Sequence, residues 1–176
     1  MKYIIGILIG LFLLTKVYNN KKVDKKDIIA HHNNMKCINL ERNYIKGYFS
    51  GLKWQCVEFA RRYLIITYKI SFQEIETAED IFRLNYFFNV HNNTLIPIKK
   101  YVNGSMVLPH VGSLLIWSKS KELKFGHVAV ITSINSKYIV IREQNWDNKN
   151  IRKLKLKYKN GYYIMEKDII GWINYF

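Results

Sequence analysis

The feature that most constrains the fold is a succession of short strand-like runs that occupies the chain from residue 113 to residue 175. These runs are rich in β-branched and aromatic residues, which favour extended backbone. The predicted strands are Ser113–Trp117, His127–Ile134, Lys137–Glu143, Lys153–Lys159, Tyr162–Met165 and Ile170–Tyr175. In Lys153–Lys159 lysine alternates strictly with apolar residues, so one face of this strand is predicted to lie in water. Short connections between such strands favour an antiparallel meander.

The residues before this region carry helical patterns. Cys56–Tyr68 has apolar or small side chains at positions 56, 59, 60, 63, 64 and 67, a spacing typical of an amphipathic helix. Ala78–Phe88 is predicted to be a second helix, with Thr77 as its N-cap and Asp80 as the acidic partner three residues later. Residues 92–111 are expected to form a loop, because prolines and an Asn-Gly pair interrupt them. Helices followed by an antiparallel sheet predict an α+β domain.

The composition favours one folded domain. The chain has 176 residues, of which 49% are apolar and 15% aromatic, enough to bury a core, so disordered and fibrous proteins are excluded. Two cysteines are too few for a disulfide framework, and with five scattered histidines they argue against a structural zinc site. We therefore expect no bound metal.

The charge is strongly positive, with 28 Lys and Arg against 13 Asp and Glu, a formal net charge of +15. Such a field could attract nucleic acid, anionic lipid or an acidic cell wall. No arginine-rich stripe or nucleic-acid motif accompanies the charge, and a chain rich in Lys, Asn, Ile and Tyr is typical of an AT-rich genome. We therefore expect many lysines to be solvated, and neither a nucleic acid nor an obligate protein is a predicted partner.

The N-terminus contains an uncharged apolar segment, Tyr3–Thr15. As a helix it would reach about 20 Å, so spanning the hydrocarbon core of roughly 30 Å requires Lys16 to snorkel to the interface. A signal peptide of this length also fits, but no small-residue cleavage site follows. We expect an uncleaved signal-anchor or transmembrane segment over 1–18, a charged linker over 19–27 and the folded domain over 28–176. We therefore expect the protein to be associated with a membrane through this segment. The lysines that follow the segment favour an orientation with the folded domain on the cytoplasmic side. A secreted protein is the alternative.

Three residues are candidates for chemistry: Cys56, His127 and Glu143. Cys56 begins the first predicted helix, where unpaired backbone N–H groups and the helix dipole favour an anion and lower the pKa of a thiol. A buried structural cysteine is the alternative, and Cys37, which no motif surrounds, is interpreted in that way. His127 opens a predicted strand. Glu143 lies near the end of the next strand on an otherwise apolar face, where a carboxylate is costly unless it is paired.

The pairing of these two strands decides whether His127 and Glu143 lie on the same face. Because strand side chains alternate, the numbers of paired residues must sum to an even value for the two faces to coincide. A three-residue connection centred on Asn135 gives a sum of 270 and places His127 directly opposite Glu143. A two-residue turn gives 271 and puts Glu143 on the wrong side, so an odd-length connection is predicted.

Together the three residues supply the nucleophile, base and orienting group of a cysteine hydrolase. His127 would accept the thiol proton and then donate it to a leaving amine, while Glu143 would orient the imidazole. The oxyanion formed on attack needs hydrogen-bond donors. The backbone N–H of Cys56 and the side-chain amide of Gln55 are the predicted donors.

Several short segments show a resemblance to a known family. They are KWQCVEFARR (53–62), NGS (103–105), LLIW (114–117), GHVAVIT (126–132), EQN (143–145) and GW (171–172). In order and approximate spacing they resemble the amidase domain of the bifunctional glutathionylspermidine synthetase/amidases. That domain is part of the CHAP (cysteine, histidine-dependent amidohydrolase/peptidase) group, which has a papain-like fold. The resemblance covers about residue 44 to the C-terminus and implies a CHAP cysteine amidase domain, with N-terminal helices packed on an antiparallel β-sheet.

The resemblance also implies roles for individual residues. Cys56 matches the nucleophile, which forms a thioester with the glutathionyl carboxyl, and His127 and Glu143 match the rest of its triad. The residues that match substrate-contacting positions are Gln55, Arg61, Asn145 and the loop of Ile75, Glu76, Thr77 and Ala78. The implied reaction is hydrolysis of the amide between the glycine of glutathione and spermidine, with no metal, nucleotide or other cofactor. A small glutathione–polyamine conjugate is therefore the predicted substrate.

Two alternatives stay open at this point. A CHAP-type peptidoglycan amidase or endopeptidase suits the apolar N-terminus and the positive charge, because bacterial walls are acidic, whereas the cysteine motif over 53–62 argues against it. A membrane-tethered binding module without catalysis is the second alternative. The presence of Cys56, His127 and Glu143 together argues against that module.

Overall fold

The computed structural model describes residues 28–31, 39–147 and 149–176. Within these ranges, no helix is both long enough and apolar enough to span a membrane. This finding overturns the predicted membrane localisation. The anchor and linker on which that prediction depended, 1–18 and 19–27, lie outside the described residues.

The described residues form an α-helix, a 3₁₀ helix and a series of short strands. The α-helix, α1, spans Cys56–Tyr68, and the 3₁₀ helix spans Ala78–Arg83. The strands are β1 (Arg42–Ile45), β2 (Tyr48–Leu52), β3 (Ile70–Ser71), β4 (Tyr86–Asn89), β5 (Leu95–Pro97), β6 (Lys99–Val102), β7 (Leu114–Trp117), β8 (His127–Ile134), β9 (Tyr138–Arg142), β10 (Ile151–Tyr158), β11 (Tyr162–Ile164) and β12 (Ile169–Asn174). Strands β7 to β12 correspond to the strands predicted from the sequence, with ends that agree within two residues. The predicted α+β, papain-like fold is confirmed.

The helix α1 has the predicted bounds. Its apolar face, which includes Phe59, Ala60 and Leu64, is buried against the sheet. The helix ends because Lys69 adopts a left-handed conformation and its backbone N–H bonds back to carbonyls of the last turns. Gln55 is the N-cap, so the first residue of the helix is Cys56.

The second predicted helix is shorter than expected. The capping box forms as predicted, with the Thr77 N–H and hydroxyl both donating to the Asp80 carboxylate, but the 3₁₀ helix ends at Arg83. Leu84 is extended, and the following aromatic residues form β4 instead of continuing the helix. Phe87 is fully buried, and burial of this ring through a strand outweighs the local helical spacing.

The predicted loop over 92–111 is also partly wrong, since it contains β5 and β6. Pro97 is tolerated in β5 because that strand lies at the edge of a three-stranded sheet with order β3-β4-β5. β6 pairs with β12 at the edge of the main sheet. Both strands are too short to show a clear alternation, so only their pairing with β4 and β12 reveals them.

The main sheet has seven strands in the order β11-β10-β9-β8-β7-β12-β6, and every neighbouring pair is antiparallel. Its two edges meet. The N–H of Gly104, just beyond β6, donates to the Tyr162 carbonyl at 2.8 Å, and the Tyr162 N–H donates to the Ser105 carbonyl at 2.7 Å. The Asn103 side chain bridges the same seam, since its amide donates to the Ile164 carbonyl at 3.0 Å and accepts from the Ile164 N–H at 2.8 Å. The sheet is therefore closed into a barrel.

The closed sheet has a core on each side. The apolar core inside the barrel includes Trp117, Ile131 and Trp172. The outer core lies between the barrel and α1, where Leu64 packs with Val128 and other alternate residues of the same strands. Because α1 packs outside β8 and Cys56 is its first residue, the fold brings the helix end to the start of β8, where His127 lies.

The β8–β9 hairpin differs from the prediction in register. Its turn has two residues, because the Asn135 N–H donates to the Tyr138 carbonyl at 2.9 Å, so the predicted odd-length connection is wrong. Thr132 forms a β-bulge: Ser133 pairs with Val140, whereas the preceding pair is Ile131 with Ile141. The extra residue restores the even sum beyond the bulge and returns the side chains to matching faces. His127 and Glu143 therefore share a face, but they are diagonal neighbours and do not lie directly opposite each other.

Candidate active site

Cys56 is half-buried at the N-terminus of α1, and its thiol is hydrogen-bonded to His127. Burial alone would raise the pKa of this thiol. The charge and hydrogen bond of His127, together with the backbone N–H groups of Val128 and Val57, outweigh burial and lower the pKa below its ordinary value. The geometry therefore favours a thiolate, the reactive form of cysteine.

His127 is buried at the first position of β8. Its Nε2 lies 2.9 Å from Glu143 Oε2, which leaves Nδ1 as the ring nitrogen that bonds the thiol. Burial opposes the charged imidazole, but Cys56 and Glu143 together raise the pKa of His127 to about 9. The side chain is thus held as the cationic partner of a thiolate at neutral pH.

Gly126 sets the entry of the chain into β8. It adopts a φ of +66°, and a Cβ at this position would collide with the Trp117 carbonyl and crowd the backbone of Glu79. Glycine is therefore required immediately before His127.

Glu143 follows β9 and is fully buried. Burial would raise the pKa of its carboxyl, but hydrogen bonds from His127 and Arg152 lower it. Arg152 donates from Nε to one carboxylate oxygen and from Nη2 to the other, the latter at 3.1 Å. The carboxylate that the sequence placed on an apolar face is therefore doubly paired, as its burial requires.

Arg152 was not among the residues predicted from the sequence. The lysines of β10 occupy odd positions and are exposed, whereas Arg152 has an even number and shares the barrel-facing side with Leu154 and Leu156. An arginine on the apolar face of an alternating strand needs a buried acid, and that signal could have identified it.

Gln55 is held by two residues of the loop after Glu143. The Asn145 amide donates to Gln55 Oε1 at 2.9 Å, and the Gln144 amide donates to the Gln55 backbone carbonyl at 3.1 Å. With Oε1 engaged in this way, the N–H₂ end of the Gln55 amide points away from Asn145. The predicted oxyanion donor and the predicted substrate contact Asn145 are thus brought together.

A buried polar network anchors the same loop to α1. Glu58 accepts hydrogen bonds from Arg62 Nε at 2.9 Å and from the Gln144 amide at 2.9 Å. Arg62 Nη2 also donates to Gln144 Oε1 at 3.1 Å. All three side chains are buried and connected, so the network fixes the loop of Gln144 and Asn145 against the helix end.

The Arg61 side chain does not lie on the solvent-exposed face of α1, because the residue is only 3% exposed. Its Nη2 donates to the Gln73 carbonyl at 2.5 Å, and its guanidinium lies 4.6 Å from the centre of the Phe72 ring. Burial lowers its pKa to about 10, so it stays charged at neutral pH. Among the described residues its Nε has no hydrogen-bond partner. Arg61 thus supports the start of the segment that leads to the predicted substrate loop.

The loop Ile75–Ala78 lies beside His127. The Ala78 N–H donates to the Phe125 carbonyl at 2.9 Å, which ties the loop to the residues that precede β8. Thr77 and Ala78 are buried, Ile75 is half-buried and Glu76 is exposed. The loop thus carries an exposed carboxylate two residues before the contact with Phe125.

Trp146 covers the imidazole. Its ring lies 4.7 Å from the His127 ring, and its neighbours Asn145 and Asp147 have φ angles of 62° and 42°. Left-handed residues on both sides of one tryptophan are uncommon, although Asn and Asp adopt this conformation more readily than other non-glycine residues, and such backbone is often found at functional sites.

Two further predictions concern metal binding and Cys37. Over 28–31, 39–147 and 149–176, no group of three or more His, Cys, Asp and Glu side chains is arranged to hold a metal ion. Cys37, predicted to be structural, lies outside these ranges.

Comparison with known proteins identifies related sequences. The CHAP domain family matches residues 47–145. The bifunctional glutathionylspermidine synthetase/amidase of Escherichia coli is 37% identical over 145 residues, which are 75% of this chain and 23% of that protein. Trypanothione synthetase of Crithidia fasciculata is 30% identical over 148 residues, which are 77% of this chain and 23% of that protein. These findings confirm the predicted resemblance and support a hydrolase role, although the chain spans only about a quarter of either relative.

Proposed function

Because the chain belongs to the CHAP domain family, we propose that it is a cysteine amidohydrolase that cleaves a glutathione–polyamine conjugate, glutathionylspermidine above all. The observation that carries this proposal is the chain of hydrogen bonds from Cys56 through His127 to Glu143. Within it the pKa values of the thiol and the carboxyl are lowered and the pKa of the imidazole is raised. The likeness to a synthetase/amidase of glutathionylspermidine supports the choice of substrate. We assign the whole of 28–176 to this amidase domain.

In the proposed first step the Cys56 thiolate attacks the carbonyl carbon of the glycyl amide. The backbone N–H of Cys56 and the N–H₂ group of Gln55 stabilise the oxyanion. The His127 imidazolium donates its proton to the spermidine nitrogen, the C–N bond breaks, and spermidine leaves as an amine. A thioester between Cys56 and the glutathionyl carboxyl remains.

In the second step water attacks the thioester carbonyl. His127, now neutral, accepts a proton from this water, and the C–S bond breaks to release glutathione and restore the Cys56 thiolate with an imidazolium beside it. Glu143 orients the ring and stabilises the imidazolium at both stages. Neither step requires an oxidant, a reductant or a nucleotide.

The charge of the substrate also has to be accommodated. Glutathionylspermidine is cationic at its polyamine end, whereas the chain carries a net charge of +15, so the overall field opposes its approach. We propose that the exposed Glu76 provides local attraction for the polyamine. Glu79 contributes less, because its carboxylate already accepts a hydrogen bond from the Lys119 N–H at 2.6 Å.

Mass spectrometry of glutathionylspermidine incubated with the full chain tests the proposal. We expect equimolar glutathione and spermidine from the wild type, and no release by Cys56→Ala with the fold intact. Cys37→Ala is the matched control, because it removes the other cysteine, and it should keep the activity. A stable conjugate in the presence of wild-type protein whose Cys56 still reacts rapidly with an alkylating reagent would contradict the substrate. Unchanged turnover by Cys56→Ala would contradict the cysteine mechanism.

A further inference from the structure

Arg152 contacts both carboxylate oxygens of Glu143 and has no part in the proposed reaction. We propose that Arg152 is a positioning residue that fixes the Glu143 carboxylate and sets the pH range over which Cys56 is reactive. This inference deepens the proposed function and rests on it only for the role of Cys56 as the nucleophile. The geometry of the guanidinium carries it.

The guanidinium bonds carboxylates on two sides. On one side it contacts both oxygens of Glu143, and on the other its Nη1 donates to Glu166 at 2.7 Å. Two contacts to one carboxylate fix its plane as well as its position. Since Glu143 Oε2 also contacts His127, fixing that plane fixes the orientation of the imidazole.

The same side chain is held by aromatic rings. The guanidinium carbon of Arg152 lies 4.3 Å from the centre of the Trp146 ring and 5.8 Å from that of Trp117. Both rings also pack against His127, at 4.7 and 5.3 Å. Arg152 thus holds the orienting carboxylate by hydrogen bonds and the tryptophan over the imidazole by stacking. A side chain that served only to fill the barrel mouth would need neither set of contacts.

The charged groups around Glu143 come from several elements. Cys56 comes from α1, His127 from β8, Arg152 from β10 and Glu166 from the segment between β11 and β12. Arg152 is a second cation in contact with Glu143, and its positive charge favours the anionic forms in this group. Removing that charge makes the Cys56 thiolate and the Glu143 carboxylate harder to form, so both ionise at higher pH.

The test is the rate of Cys56 alkylation by iodoacetamide as a function of pH, followed on the Cys56 peptide of the full chain by mass spectrometry. The reagent forms a C–S bond with the thiolate and releases iodide, so the rate reports the thiolate without any substrate. We expect Arg152→Met to move the midpoint of this profile upward by about half a pH unit, less than the effect of an opposite charge in direct contact, because Arg152 acts on Cys56 through Glu143 and His127. Arg152→Lys keeps the charge but cannot contact both oxygens of Glu143 in the same way, so its midpoint should shift less than that of Arg152→Met.

Arg142→Met is the matched control. Arg142 lies on β9 next to Glu143 in the chain, but it pairs with Val130 and its side chain lies near Tyr63 of α1, on the opposite face of the sheet. Arg142→Met removes the same charge from the protein as Arg152→Met, and it should leave the midpoint of the alkylation profile unchanged. A shift of equal size in Arg142→Met would show an effect of net charge alone and would overturn the proposal.

The proposal would also be overturned by an unshifted midpoint in folded Arg152→Met. A shift in Arg152→Lys as large as that in Arg152→Met would overturn it as well. If Arg152→Met does not fold by circular dichroism, Arg152→Gln is measured in its place, since glutamine keeps a donor to Glu143 and removes the charge. The result is separate from that of the amidase assay. An intact conjugate together with a shifted alkylation profile would reject the substrate and keep the role of Arg152.

Discussion

At the scale of single residues, the candidate site depends on opposing effects at each titratable group. Burial disfavours the charged forms of Cys56, His127 and Glu143, and their mutual contacts favour those forms. In each case the contacts outweigh burial, because each charged group has a partner of opposite charge within hydrogen-bond distance. A cysteine, a histidine and a glutamate far apart in the sequence thereby become one titrating unit.

The pH dependence of turnover should reflect this unit. The lowered pKa of Cys56 predicts that the rate rises on the acid side below the pH of about 8.5 at which a free thiol ionises. The pKa of about 9 for His127 predicts that the rate falls as pH rises through about 9, because the imidazole then lacks the proton that the leaving amine needs. Measuring glutathione release against pH should give a bell-shaped profile. A rate that rises only above about pH 8 would contradict an activated Cys56.

At the scale of elements, the β-bulge in β8 decides which face His127 shares with Glu143. The two-residue turn alone would place these side chains on opposite faces of the sheet. Thr132 is the extra residue that corrects the alternation, and its hydroxyl contacts the Val140 carbonyl at 3.3 Å. The alternation of each strand could be predicted from the sequence, but the bulge could not, because it depends on how two strands pair.

Deleting Thr132 should therefore misplace one member of the pair. We expect the deletion to lower kcat/KM at least about 100-fold, since a displacement of about 1 Å can already cost that much. Thr132→Val is the control, because it keeps the extra residue and removes only the hydroxyl, and it should stay close to the wild type. Circular dichroism reports whether the deletion variant folds. A folded deletion variant with wild-type kcat/KM would show that the bulge does not position the site.

At the scale of the whole molecule, closure of the sheet into a barrel holds the site together. His127, Glu143 and Arg152 belong to or follow adjacent strands β8, β9 and β10, whereas Cys56 belongs to the helix outside the barrel. The seam between β6 and β11 is joined by backbone bonds and by the Asn103 side chain. Gly161 crosses this seam so closely to Gly104 that a Cβ would collide with the Gly104 carbonyl.

Asn103→Ala should lower stability by about 1–3 kcal/mol, because it removes two hydrogen bonds and leaves the Ile164 backbone groups without those partners. Asn92→Ala is the matched control. Asn92 accepts only a local bond from the Thr94 N–H on an exposed turn, so its loss should cost less than about 0.5 kcal/mol. The free energy of unfolding in urea measures both variants. Equal stability of the two variants would contradict a role for Asn103 in closing the barrel.

The features that could be predicted from the sequence are local or periodic. The helix that begins at Cys56, the strands from β7 to β12 and the capping box of Thr77 with Asp80 follow from local spacing and composition. The motif around Cys56 and the pairing of His127 with Glu143 could likewise be inferred, because few residue types supply that chemistry and a carboxylate on an apolar face demands a partner.

The tertiary structure alone decided the rest. The change from helix to strand after Arg83, the bulge at Thr132, the closure at Asn103 and the pairing of Arg152 with Glu143 all depend on contacts between segments distant in the chain. Local preferences differ by only about 1 kcal/mol per residue, whereas burying an aromatic ring or pairing a buried charge is worth more. Where the two disagree, tertiary contacts therefore determine the outcome.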